Sequence, residues 1–340
     1  MKKKWFSAII LISTAIIFFV IILFTDGVGI FLENIQKINI YWFLGAVSMM
    51  FIYWLLEAVI LNIFVRQKYK NYTFGAVFRV SMIGQFFNAI TPFSSGGQPI
   101  QFYALTQDGV SSGEAGSMLV MKFIVHQVTL VLYSFILIIW KLAYFADRVD
   151  KFVYLAIIGF SVNFFVIVLL YLFVNYTEMT RNMIHFALKT CSKFKICSYP
   201  DKLEKKVEKE LEYFKEHSNN IKSNVKILIS TGVLTFIQLT SFFMIAYFIY
   251  RSFGLSGESL INIFVASAFV TMIISAVPLP GGVGGAEGSF FMLFNMFFAQ
   301  GKILPAIFLW RFVTLYMNII VGGIISALAP EKPMKNSEIL

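Results

Sequence analysis

The chain has 340 residues, 58% of them hydrophobic and 14% charged, with a formal net charge of +10 and a mean hydropathy of +0.77. Soluble domains are about 45–50% apolar and about 25% charged, so this composition excludes a soluble enzyme with one apolar core. It also excludes a disordered chain, which stays unfolded only at low hydrophobicity. The basic residues border apolar runs and form no basic face, so the charge reflects the cytoplasmic enrichment of Lys and Arg in membrane proteins and does not indicate nucleic acid.

In chain order, Lys2, Lys3 and Lys4 precede an apolar run over 5–24 that ends at Thr25-Asp26-Gly27 without a small-residue cleavage site. This reads as an uncleaved first span. Windows of about 20 apolar residues, enough to cross ~30 Å of hydrocarbon, recur at 41–64, 117–140, 152–175, 227–250 and 303–328, which predicts six full spans. Two shorter apolar runs, 74–91 and 262–279, stop in Pro92-Phe93-Ser94-Ser95-Gly96-Gly97 and in Pro278-Leu279-Pro280-Gly281-Gly282-Val283-Gly284-Gly285. Semi-polar stretches follow at 98–112 and 286–301, so both segments are expected to be broken or re-entrant helical hairpins. Irregular backbone survives at membrane depth only where protein or a watery cavity satisfies its polar groups, which places both loops in the functional interior. The expected fold is an all-α polytopic membrane protein, with a single transmembrane domain over 1–330 and a tail at 331–340.

Residues 178–226 carry 11 basic and 7 acidic side chains and form the one polar segment. Tyr199-Pro200-Asp201 predicts a helix start, and Leu203, Val207, Leu211 and Phe214 give it one apolar stripe. The stripe suits a solvated or interfacial connector, or a docking site for a partner. Cys191 and Cys197, in the spacing C-x5-C, read as two reduced thiols, and no metal or cofactor is expected. With both termini cytoplasmic, the cytoplasmic segments hold 20 Lys and Arg and the outer loops six, which sets the orientation.

A shift of 188 residues lays Pro92-x-x-x-Gly96-Gly97 on Pro280-x-x-x-Gly284-Gly285, span 41–64 on 229–252 and span 117–140 on 305–328. One residue of slack aligns Lys122-Phe123 with Arg311-Phe312. The units 41–140 and 229–328 enter the membrane from opposite sides in this orientation, which makes them inverted repeats, an architecture of transporters whose halves rock around a shared site.

Charges at membrane depth each cost at least ~2.5–3.5 kcal/mol, so Glu57, Lys122, His126, Glu287 and Arg311 each require a reason. Lys122 and His126 share a helix face, and Gln85, Asn88, Gln98 and Gln101 flank the first break. Two readings stand for the cations: ion pairs with Glu57 or Glu287 that lock helices, or a cationic cavity. In the second, the helices opening after Gly96-Gly97 and Gly284-Gly285 would aim unpaired N–H groups at an anion such as a lipid phosphate. Glu287 is either a stabilising N-terminal acid or the partner of a cationic headgroup. No nucleophile–histidine–carboxylate set surrounds His126, and the Gly-rich run 281–285 lacks the Lys-Ser/Thr of a phosphate loop, so no catalytic residues are assigned.

The stretches Asn88–Pro99 and Pro280–Gly288 resemble the two signature stretches of the lysylphosphatidylglycerol synthase transmembrane family, over roughly 5–330 of the chain. The Pro-Gly-Gly-x-Gly-x-x-Glu pattern at 280–287 is the most specific part. The resemblance implies lipid handling, namely movement of phospholipid or aminoacylated phosphatidylglycerol between leaflets, and resistance to cationic antimicrobial peptides. It implies residence in a bacterial plasma membrane, a phospholipid partner, and a separate lipid-modifying enzyme or a second copy as further partners. In two-part members a soluble domain transfers lysine from lysyl-tRNA to the lipid. Only about a dozen residues follow span 303–328 here, so the expectation is a stand-alone member without that domain. The alternatives are a phosphatidylglycerol lysyltransferase, as the family name suggests, and a secondary transporter for a small solute.

Overall fold

The computed structural model describes residues 27–149, 152–176, 181, 201–299 and 301–328. The expected span 5–24, both cysteines and the tail 331–340 lie outside the described residues. Within them the chain forms twelve helices and no named strand. These are α1 (Gly27–Gln36), α2 (Ile40–Arg66), α3 (Phe74–Ile90), α4 (Gly97–Gln107), α5 (Ser112–Trp140) and α6 (Leu142–Ala146). They continue as α7 (Phe152–Asn175), α8 (Asp201–Ser223), α9 (Val225–Ser252), α10 (Leu260–Ile274), α11 (Gly285–Phe294) and α12 (Ile303–Leu328).

Five helices, α2, α5, α7, α9 and α12, are long and apolar enough to cross a bilayer, and each coincides with an expected span. The protein is therefore a multi-pass, all-helical membrane protein. The short helices α1 and α6 have no counterpart among the expected elements, because neither carries a full apolar period of spanning length.

Both interrupted segments are hairpins. The first is α3–α4: Asp108, just past α4, accepts hydrogen bonds at 2.6 and 2.8 Å from Arg79 near the start of α3. Tyr72, just before α3, also donates to Asp108, so the chain returns to the side from which it entered. The second is α10–α11: Phe298, beyond α11, lies edge-on to Tyr250 and Phe253 at the end of α9, with ring centroids 5.5 and 5.9 Å apart.

Packing is densest where α2 crosses α9. Two further sets of contacts are matched: α3 packs on the second half of α12 as α10 packs on α5, and α2–α3 is matched by α9–α10. Lipid is as apolar as these side chains, so close approach and buried polar bonds must hold the helices together. At the α3–α12 crossing a side chain on Gly322 would meet the Met82 carbonyl at 2.8 Å. Asn163 of α7, 1% exposed, accepts from Gln127 of α5 at 2.7 Å and from Ser275 beyond α10 at 3.1 Å. The outward face of α7 remains apolar for lipid, with Ile157, Ile158, Phe164 and Phe165 exposed.

The described part of the connector helix runs from Asp201 to Ser223, and its stripe is covered in part: Val207 and Leu211 are half-buried, and the side chain of Leu203 lies outside the described residues. Phe214, His217, Ser218 and Ile221 are buried, and α8 lies along α5. The Gly113 N–H at the start of α5 donates to Glu210 Oε2 at 2.5 Å, so an acidic side chain from α8 caps the positive end of α5. A side chain on Gly113 would meet the Glu210 carbonyl at 2.1 Å, so the approach requires glycine.

His217 Nδ1 lies 2.6 Å from Ser117 Oγ of α5. Burial holds its pKa below the usual 6.5, with Glu114 and Glu216 pulling it upward and Lys68 downward. A base depressed by docking binds its proton more readily once released, so docking is intact above pH 6.5 and weakens as pH falls below that value. Hydrogen–deuterium exchange over 207–223, corrected for intrinsic rates, is expected to rise between about pH 7.5 and about pH 5.5. His217→Gln is expected to abolish that rise; a pH response that survives the substitution contradicts the assignment.

Candidate functional site

The site is assembled from the two interruptions. At the first, Thr91 leaves the helix with an extended backbone (φ −116°), and Phe93 and Ser94 both take positive φ, 54° and 51°. Non-glycine residues in the left-handed region carry a strain that persists only where surroundings impose it, and such positions concentrate at functional sites. Thr91 Oγ1 accepts the Gly96 N–H at 2.8 Å, and Asn88 Oδ1 accepts the Gly97 N–H at 2.8 Å. At the second, Gly281, Gly282 and Gly284 turn the chain with φ of 60°, 63° and 81°, values that a side chain would resist. Glu287 Oε2 accepts the Gly284 N–H at 2.7 Å.

The two interruptions meet. Pro92 and Pro280 form an isolated antiparallel β-bridge, so backbone freed from one hairpin lies against backbone freed from the other. The helices α4 and α11 open where the sequence places them, after Gly96 and at Gly285. One N–H at the start of each helix is taken by a side chain of the same hairpin, that of Gly97 by Asn88 and that of Gly284 by Glu287.

The charges singled out at membrane depth form two separate pairs. On one side Lys122 of α5, 5% exposed, pairs with Glu57 of α2 and donates to Gln101 of α4 at 3.1 Å. Gln238 of α9, fully buried, donates to Glu57 Oε2 at 3.0 Å. His126, one turn beyond Lys122 and half-buried, feels the charges of both Glu57 and Lys122. On the other side the Arg311 Nε donates to Glu287 Oε1 at 2.6 Å and its Nη1 to the Gly281 carbonyl at 3.1 Å. Both oxygens of Glu287 are thus engaged within the chain, which is the geometry of a stabilising N-terminal acid.

A cavity of about 160 Å³ lies beside the meeting point. Arg311, Asn88, Ser94 and Gly281 line it, whereas Lys122, Glu57, His126 and Gln98 do not. The sequence-derived set of Lys122, Arg311, Glu287, Glu57, His126, Gln98, Asn88, Gly96, Gly97, Gly284 and Gly285 therefore divides between a sealed cluster, the two turns and the cavity wall. Gln98 sits at the start of α4, its Oε1 buried and without a hydrogen-bond partner among the described residues. Directly after Arg311, α12 widens into a π-turn over Phe312–Tyr316, a local distortion frequent at functional sites.

Residues 8–322 match the family described as the lysylphosphatidylglycerol synthase TM region. The chain belongs to that family. A UPF0104 membrane protein of Archaeoglobus fulgidus is 25% identical over 267 residues, which is 72% of this chain and 73% of the relative. Family membership thus takes in both hairpins and both ion pairs.

Sequence reasoning missed Gln238, Tyr53 of α2, which lines the cavity, and the bond from Trp54 to Asn318, 2.7 Å long between α2 and α12. The signal was available, since Gln238 and Asn318 are polar residues inside apolar spans and are governed by the same insertion penalty as the charges.

The Glu57–Lys122 pair yields a stability prediction. Lys122→Leu or Glu57→Met alone leaves one buried charge uncompensated and is expected to cost roughly 3–5 kcal/mol, whereas the two together are expected to recover most of that loss. Unfolding of the purified variants in one detergent measures this. A double variant as unstable as the sum of the singles contradicts a closed pair.

Proposed function

We propose that the protein moves a phospholipid, or an aminoacylated phosphatidylglycerol, between the leaflets of its membrane, and thereby contributes to resistance against cationic antimicrobial peptides. The observation that carries this reading is the contact between Pro92 and Pro280 beside a cavity whose wall includes Arg311, Asn88 and Gln85. Translocation requires a polar path for a headgroup while the acyl chains stay in lipid, and two facing interruptions supply polar backbone where unbroken helices offer none. Membership in a family named for lysylphosphatidylglycerol supports a lipid as cargo.

In this reading the units 41–140 and 229–328 are inverted repeats that rock against each other, with both termini cytoplasmic. Two observations support it. The bridged prolines are the residues that the 188-residue shift equates. The pairs α3–α12 and α10–α5 exchange partners between units, as a two-fold relation requires.

In liposomes the purified protein is expected to accelerate the movement of a fluorescent phospholipid between leaflets, read by quenching from outside. With lysyl-tRNA and phosphatidylglycerol it is expected to form no lysyl-lipid. Synthesis of lysyl-lipid by this chain would overturn the reading in favour of a lysyltransferase, and uptake of a small polar solute without lipid movement would overturn it in favour of a solute transporter.

A further inference from the structure

The two interruptions are held in different ways. The first is tied within its own hairpin: Thr91 Oγ1 donates to the Phe87 carbonyl at 2.7 Å and accepts the Gly96 N–H, and Asn88 takes the Gly97 N–H. The second is gripped at its entry by a helix that belongs to neither unit. This is α7, which lies between the units 41–140 and 229–328 and contributes Asn163, 1% exposed.

The last turn of α10 tightens as the helix stops. The Ala276 N–H, which would pair with the Met272 carbonyl in a continuing helix, goes to the Ile273 carbonyl at 3.0 Å. The Met272 carbonyl is thereby left to side chains, as the final carbonyls of a helix are. Asn163 Nδ2 donates to it at 3.3 Å and to the Gly159 carbonyl of its own helix at 2.8 Å. Two carbonyl partners identify that atom as the nitrogen and so orient the amide. Oδ1 then accepts from Gln127 Nε2 of α5 at 2.7 Å and from Ser275 Oγ, the first residue past α10, at 3.1 Å. Both donors and both lone pairs of the amide are used.

Ring contacts hold α7 against the same two helices. Phe152 stacks on Phe269 of α10 with centroids 4.7 Å apart, and Phe160 lies edge-on to Phe135 of α5 at 5.6 Å. A buried amide in hydrocarbon has no water to replace a lost partner, so the four bonds of Asn163 fix where α10 ends relative to α5. Pro280 and the glycine turn follow directly from that end.

We infer that Asn163 is a positioning residue for the candidate site. It does not line the cavity, yet it sets the place from which the second interruption reaches Pro92. Its effect on lipid movement rests on the proposed transport activity, whereas its hold on the interruption does not.

The test follows disulfide formation between Pro92→Cys and Pro280→Cys in the purified protein under a mild oxidant, with Cys191 and Cys197 replaced by Ser. The bridge makes this contact the resting arrangement, so a loosened interruption forms the bond more slowly. Asn163→Leu removes the grip on Met272 and Ser275 and is expected to slow cross-linking about fivefold or more. Gln127→Leu deletes a buried bond to the same amide but leaves those to α10 in place, and is expected to change the rate by less than about twofold. Should Asn163→Leu fail to fold, Asn163→Ser takes its place, because a hydroxyl there bonds back to the Gly159 carbonyl and is too short to reach α10.

Unfolding temperatures of the same variants separate position from stability. Equal slowing by Gln127→Leu and the Asn163 variant overturns the assignment, as does an unchanged rate in the folded Asn163 variant. Slow cross-linking with undiminished lipid movement in liposomes overturns the role of Asn163 in transport. Absence of lipid movement by the protein with Asn163 intact, while the cross-linking pattern holds, counts against the transport reading alone.

Discussion

A bilayer interior offers no water to a broken helix, and this constraint organises the whole molecule. Each interruption frees backbone groups that an unbroken span would pair, and every solution seen here is drawn from the chain itself. Thr91 and Asn88 take the N–H groups of Gly96 and Gly97, and Glu287 takes that of Gly284. The interruptions then lie against each other at Pro92 and Pro280, which requires their parent helices to be neighbours. The close crossings of α2 with α9 and of α3 with α12 hold them so, and the Gly322 contact with the Met82 backbone permits the second.

The buried charges divide along the same logic. The Glu57–Lys122 pair joins α2 to α5 and is extended by Gln101 and Gln238, so helices from both halves share one cluster in which both charges are paired. The Glu287–Arg311 pair is local to the second half and spends part of its capacity on the turn, through Gly281 and Gly284. The first cluster joins helices of both halves and suits a structural joint, whereas the second ties Arg311 of the cavity wall to the turn. The strained backbone at Phe93 and Ser94 and the π-turn after Arg311 flank that same cavity.

Much of this was legible in the sequence because membranes make the relevant energies large. Span lengths follow from hydrocarbon thickness, and the abrupt stops at Pro92 and Pro280 mark the hairpins. The cost of intramembrane charge singles out Glu57, Lys122, Glu287 and Arg311. Pairing was not legible, since Lys122 finds Glu57 across 65 residues of sequence and a cation's choice of partner depends on helix rotation that hydropathy does not encode. For the same reason the sequence did not show that Asn88 takes the Gly97 N–H and Glu287 the Gly284 N–H at the starts of α4 and α11. The apolar stripe of α8 was legible as a stripe, but the docking of α8 on α5 depends on glycine at position 113, where the two backbones nearly touch.

The central claim is that lipid passes where the two interruptions meet and that the units move against each other there. Equivalent positions in an antiparallel bridge place Cβ atoms about 4.5–5.5 Å apart, near enough for a disulfide after small adjustment. Pro92→Cys with Pro280→Cys, with Cys191 and Cys197 replaced by Ser, gives a reversible lock on that contact. The account predicts that the oxidised protein loses lipid movement in liposomes and regains it on reduction, whereas undiminished movement in the fully cross-linked protein would contradict it.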